Sequence, residues 1–237
     1  MKKRKAGIGI FVIVLIITAV RVKSMDSHRI SGRILAENIA GPGMLRLVEQ
    51  SMQSRARKTS VTEIAVKERK HPQAALTFDD GPDIRYTPLL LDGLKERNVR
   101  VSFFLLGEKV EQYPELVERM QKEGHLVGNH TYHHVQLNKL NETKAREEIL
   151  KTNNLIYETT GVYPLYLRPP FGAWKKNLEL CVEMLPVFWT IDTLDWKVQN
   201  TEKIVRTVQE QIEDGAIILM HDEYDTSVEA ALQVVDE

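Results

Sequence analysis

Two adjacent carboxylates, Asp79 and Asp80, close the apolar run Ala74-Ala75-Leu76-Thr77-Phe78 and are followed at once by Gly81-Pro82. The run reads as a buried strand, and the Gly-Pro pair ends it. Like charges side by side at a strand end are costly unless a cation or a proton separates their fates. One carboxylate holding a metal ion while the other serves as a base resolves that cost. Imidazoles are supplied by His130-Thr131-Tyr132-His133-His134. His130 and His134 are spaced i, i+4 and face one way if the segment enters a helical turn. His133 could take the place of His134, because i, i+3 also shares a helix face. Asp80, His130 and His134 would make a facial set of one carboxylate and two imidazoles, with positions left open for water and substrate. Zinc suits these ligand types best, with cobalt, iron or nickel as alternatives.

Elements must bring these groups together. From Gln73 onward strands and helices alternate. Strands are expected at 99–106, 125–131, 165–167, 187–191 and 216–220. Helices are expected at 113–122, 142–159, 175–184 and 202–212. Such alternation gives parallel strands with helices outside, either a barrel or an open sheet. The polar residues Asp79, Asp80, His130, Arg168, Asp192 and His221 all fall at the carboxyl ends of these strands. In β/α barrels that rim carries the chemistry.

The rest of the chain sets bounds. Its 237 residues are enough for one larger α/β domain and an appendage. A formal net charge of -1 supplies no global basic field, which argues against nucleic acid as a partner. The clusters Arg55, Arg57, Lys58 and Lys67, Arg69, Lys70 read as a solvated linker. The single cysteine, Cys181, allows no internal disulfide and reads as a small core residue. At the amino terminus, Lys2, Lys3, Arg4 and Lys5 precede an apolar segment from Ala6 to Val20. This pattern makes residues 1–24 a signal anchor, with a cleaved signal peptide as the alternative. The basic cluster keeps that end in the cytoplasm and the rest outside the cell. The chain is thus expected to be a single-pass membrane protein, or a secreted one if cleaved. Residues 25–71 read as a stalk. Gly41-Pro42-Gly43 breaks it, and Met44, Leu47, Val48 and Met52 recur at helical spacing beyond the break. The remainder, 72–237, is the α/β domain that carries the candidate site residues.

Five segments, taken in order, resemble the motifs of the NodB-like polysaccharide deacetylases, carbohydrate esterase family four. They are Thr77-Phe78-Asp79-Asp80-Gly81-Pro82, His130-Thr131-Tyr132-His133-His134, Arg168-Pro169-Pro170-Phe171-Gly172, Asp192-Thr193-Leu194-Asp195-Trp196 and Leu219-Met220-His221. The resemblance covers roughly Gln73 to Asp222. It implies an α/β fold, a distorted (β/α) barrel, and metal-dependent N-deacetylation of a glycan. Carried over by position, Asp80, His130 and His134 would be metal ligands and Asp79 the general base. Arg168 would orient and charge-balance Asp79. The backbone N–H of Phe171 would help hold the oxyanion. His221 would be the general acid, tuned by Asp195, and Trp196 and Leu219 would wall the acetyl pocket. Asp192 reads as a hydrogen-bonding support and not a participant.

Combined with an extracytoplasmic anchor, the resemblance implies a cell-wall polysaccharide substrate, peptidoglycan N-acetylglucosamine. The alternatives are chitooligosaccharide, an exopolysaccharide, N-acetylmuramic acid, acetylated xylan, or a wall-binding protein without turnover. One departure concerns the carboxyl end. A helix is expected from about Thr226, and the sequence stops at Glu237 inside that pattern. Family members usually continue into a further strand. The barrel is therefore expected to be incomplete there, with an exposed edge, unless the segment near Ser60 to Val66 fills the place.

Overall fold

In a computed structural model, residues 72–174, 182 and 184–237 are described. The expected anchor, the stalk and its amphipathic helix, the Ser60 to Val66 segment, Cys181 and most of the helix expected at 175–184 lie outside them. Among the described residues, no helix is long and apolar enough to cross a membrane.

Seven strands form one parallel sheet in the order β5-β4-β3-β2-β1-β7-β6. They are β1 (Ala74–Asp79), β2 (Ser102–Leu105), β3 (Leu126–Asn129), β4 (Tyr166–Leu167), β5 (Leu185–Pro186), β6 (Ile191–Asp192) and β7 (Ala216–His221). The helices are α1 (Tyr86–Glu96), α2 (Gly107–Gln112), α3 (Pro114–Lys122), α4 (Glu142–Thr160), α5 (Asp195–Val198), α6 (Thr201–Gln211) and α7 (Asp225–Asp236). The sheet curves into a half-barrel with helices around it, in agreement with the expected distorted barrel.

Strand parity explains where the core and the site lie. Side chains alternate faces along a strand. Ala74, Leu76 and Phe78 of β1, Phe103 and Leu105 of β2, and Ala216, Ile218 and Met220 of β7 join one buried apolar cluster with α1, α3, α6 and α7. The intervening residues therefore face the barrel interior. Register pairs Thr77 with Leu219 and Asp79 with His221. A carboxylate and an imidazole thus end two adjacent strands on the same face.

The expected strand at 187–191 is divided. Leu185 N and Val187 N donate to the carbonyls of Leu165 and Leu167, at 2.9 and 2.8 Å. Thr190 N donates instead to the Ile217 carbonyl at 2.9 Å. One segment leaves the β4 side as β5 and reaches β7 as β6, so it cannot remain a single ladder. β4 and β7 each gain a partner on their outer side by this crossing.

Helix α1 was not expected from the sequence. Pro88 sits in its first turn, where a missing N–H costs little. Gly93 interrupts the apolar pattern, because a Cβ there would stand 2.5 Å from the Leu232 side chain of α7. Close packing of two helices, and not local propensity, fixes that residue.

Candidate active site

Asp80, His130 and His134 converge at the rim, each offering one ligand atom within 4.8 Å of the others. His130 Nε2 and His134 Nε2 each lie 3.4 Å from Asp80 Oδ1. That oxygen is buried and has no hydrogen-bond partner among the described residues. An orphaned buried carboxylate oxygen facing two imidazole nitrogens is costly without a cation and well served by one. The residues present therefore fit a divalent metal.

The local backbone that achieves this is not helical. The histidine segment is a loop in which Thr131 and His134 adopt φ of 68° and 54°. The helical-turn expectation is corrected, although the two imidazoles still meet, with ring centroids 5.0 Å apart. Asn129 shapes the loop: it is fully buried, its Oδ1 accepts from Thr131 N at 2.7 Å, and its Nδ2 donates to the Ile149 carbonyl and to Asn153. His133 points elsewhere, its Nδ1 2.8 Å from Glu148 Oε1. Glu148 also accepts from the backbone N–H groups of Tyr132 and His133. His134, not His133, thus completes the set.

His130 is fixed in one neutral tautomer. Its Nδ1 lies 2.6 Å from the Arg168 carbonyl oxygen. A carbonyl only accepts, so Nδ1 carries the proton and Nε2 presents its lone pair. Burial lowers its pKa to about 3, more than the attraction of Asp80 raises it.

Asp79 is buried beside this centre. Its Oδ1 accepts from Arg168 Nη1 at 2.7 Å, and the same nitrogen donates to Thr77 Oγ1 at 2.8 Å. Arg168 is entirely buried in the barrel, with its guanidinium 4.2 Å over the Phe104 ring. Asp79 Oδ2 is turned toward His130 Nε2, 3.6 Å away. Burial pushes the Asp79 carboxyl above its ordinary value, and Arg168 and His221 pull it back less strongly. The expectation that the arginine favours the charged form holds in direction, but within this chain burial outweighs it.

His221 is the opposite case. Its Nδ1 lies 2.8 Å from Asp195 Oδ1. Burial lowers its pKa, but the hydrogen bond and charge of Asp195 dominate together with Asp80 and Asp79, and the imidazole rises to about 9. Asp195 is fully buried, and its Oδ2 accepts from His221 N and from Ser227 Oγ, both at 2.7 Å. Ser227 was missed in the sequence. It lies in the first turn of α7, and no motif marks it.

The remaining candidates line the rim or its walls. Phe171 has φ of 59°, is 62% exposed, and places its ring 4.5 Å from that of His134. Trp196 is 48% exposed on α5, whereas Leu219 is buried on the inner face of β7. Asp192 accepts from Leu194 N at 3.0 Å, two residues on.

A candidate cation seat, a carboxylate held by arginine and an imidazole held by a buried carboxylate lie together at the carboxyl ends of parallel strands. A family model for polysaccharide deacetylases matches residues 66–188, and the chain belongs to that family. It is 40% identical over 168 residues to a peptidoglycan-N-acetylglucosamine deacetylase of Bacillus cereus, which spans 70% of this chain and 61% of that protein. It is 42% identical over 161 residues to the peptidoglycan-N-acetylglucosamine deacetylase PgdA of Listeria monocytogenes, covering 68% of this chain and 34% of that one. The chain thus spans less than two thirds of the length of these two curated relatives. The solved structure of the peptidoglycan deacetylase PdaC from Bacillus subtilis superposes with a TM-score of 0.68 at 40% identity, covering 70% of this chain and 82% of that one.

Proposed function

We propose that this chain is a metal-dependent N-deacetylase of a cell-wall glycan, removing acetyl groups from peptidoglycan N-acetylglucosamine. The observation that carries the reading is geometric: Asp79, held at Oδ1 by Arg168, and His221, held at Nδ1 by Asp195, flank the Asp80, His130 and His134 set. Amide hydrolysis needs both, because a proton must be taken from water and another given to a departing amine that is too basic to leave unprotonated.

Asp80, His130 and His134 would hold the metal, with zinc the first choice and cobalt, iron or nickel the alternatives. When bound, the cation lowers the pKa of water and polarises the acetamide carbonyl. Asp79 takes a proton on Oδ2 while Arg168 holds Oδ1. Arg168, itself bonded to Thr77 Oγ1, keeps that carboxylate from rotating. The Phe171 N–H donates to the developing oxyanion. His221 gives its Nε2 proton to the amine, and Asp195 stabilises the imidazolium beforehand. Trp196 and Leu219 bound the space for the acetyl methyl. The amino-terminal apolar segment anchors the chain in the membrane with this domain on the wall side.

Acetate release from purified wall by the intact, metal-loaded chain tests the reading. Release that disappears in Asp79→Asn without loss of folding supports it; undiminished release refutes it. N-acetylmuramic acid is a second candidate sugar, because PdaC is described as a peptidoglycan-N-acetylmuramic acid deacetylase and is 41% identical over 161 residues. Mass spectrometry of the released muropeptides assigns the lost acetyl group to one sugar or the other.

A further inference from the structure

Asp222 follows His221 at the end of β7 and has no part in the chemistry above. It is fully buried. Its Oδ2 accepts a hydrogen bond from Thr87 Oγ1, and its Oδ1 has no hydrogen-bond partner among the described residues. The carboxyl group lies directly against Gly81. A Cβ built on Gly81 would stand 2.3 Å from Asp222 Oδ1 and 2.7 Å from Oδ2, and the third nearest atom is also of this carboxyl group. Gly81 is the residue after Asp80, which itself adopts φ of 70°.

Thr87 extends the contact along the same loop. Its hydroxyl accepts from Asp83 N at 2.8 Å, and its own N–H donates to the Asp83 carbonyl at 3.1 Å. On the far side, the Gly81 carbonyl accepts from Leu106 N at 3.2 Å. The loop 80–83 is thus gripped at Gly81 and at Asp83. Asp222 is the only group named here that touches both the Gly81 backbone and Thr87. A buried carboxylate with an unpaired oxygen costs stability that an apolar side chain of like volume avoids. Filling space alone would therefore be better done by another residue.

We propose that Asp222 is a positioning residue that, wedged between Gly81 and Thr87, fixes the loop presenting Asp80 and thereby sets the metal affinity of the site. It rests on Asp80, His130 and His134 being the metal ligands. Outer partners of ligating groups typically govern affinity by about 10- to 100-fold.

The test is a double-mutant cycle on the full chain, read by competition for Zn²⁺ and Co²⁺ against a chromophoric chelator. The melting temperature of the chelator-treated protein is read in parallel. Asp222→Ala is expected to weaken metal binding about 10-fold or more. Gly81→Ala is expected to weaken it further, because the new methyl meets the carboxyl group. In the double variant that methyl enters the space vacated by the carboxyl, so affinity is expected to exceed that of Gly81→Ala alone. Asp222→Leu, which fills the space but removes the acceptor for Thr87, is expected to weaken metal binding as Asp222→Ala does; it serves where Asp222→Ala does not fold, and unchanged affinity in it overturns the proposal. Metal affinity unchanged in Asp222→Ala, or losses in the double variant equal to the product of the single losses, overturns the proposal. So does a lowered melting temperature of the chelated protein with unaltered metal affinity, which is what a purely structural aspartate gives. A natural chain that binds neither metal refutes the metal-site reading itself, a result distinct from all of these.

Discussion

His130 and His221 end strands of the same sheet and look alike in the sequence, yet the structure gives them opposite states. His130 donates its Nδ1–H to a carbonyl and is sealed from solvent, so it stays neutral and offers a lone pair. His221 donates its Nδ1–H to a buried carboxylate, which raises its pKa to about 9. The residue type is the same; the partner on the far side of the ring decides between a neutral ring offering a lone pair and a charged one. His133 is the control. Its partner is also a carboxylate, but ring and loop turn toward α4 and away from the cleft.

The sharpest way to break this contrast is to delete each ring in turn. His130→Ala is expected to lose both metal binding and acetate release. His221→Ala is expected to keep the metal and lose about 10²- to 10⁴-fold in turnover, the usual worth of a general acid. Metal titration beside acetate assays reads the difference; equal metal loss in both would erase it. Next in size, Asp195→Asn removes the charge that raises His221. The alkaline limb of kcat/KM is expected to move to lower pH, by more than one unit, with the metal retained. A pH profile that does not move would mean another group delivers the proton.

Stability should show the same opposition in the chelator-treated chain. His221 has a folded pKa of about 9 against an ordinary 6.5. A raised pKa stabilises fully below about 6.5, and that contribution, of order 3 kcal/mol, is lost as pH rises toward 9. His130 is lowered, so its contribution is full above 6.5 and falls away as pH drops toward 3. Denaturant titrations across pH should show the alkaline loss in the natural chain and its removal in His221→Gln. The smallest effect is expected at His133. Its exposed pair with Glu148 is worth roughly 0.2–1 kcal/mol, so His133→Ala should leave metal affinity unchanged and stability slightly reduced.

The strand ends were legible in the sequence because each motif couples an apolar run to a polar residue at its carboxyl end. Asp79, Asp80, His130, Arg168 and His221 all lie where that pattern puts them. What escaped was set by contacts distant in the chain. Gly93 hid α1 because its reason is Leu232. The strand expected at 187–191 divides because its two ends pair with different neighbours. The i, i+4 spacing would align the two rings on a helical turn, whereas Asn129 and two left-handed residues bring them together by another route. Ser227 was silent for the same reason: an unremarkable serine becomes relevant only when α7 lays it against Asp195.

Nitrogen-15 spectra of the imidazoles in the full-length, chelator-treated protein at pH 7.5 report the contrast directly. His221 is expected to carry protons on both ring nitrogens, and His130 on Nδ1 alone. A neutral His221, or a His130 protonated on Nε2, would contradict the division of labour between the two strand ends.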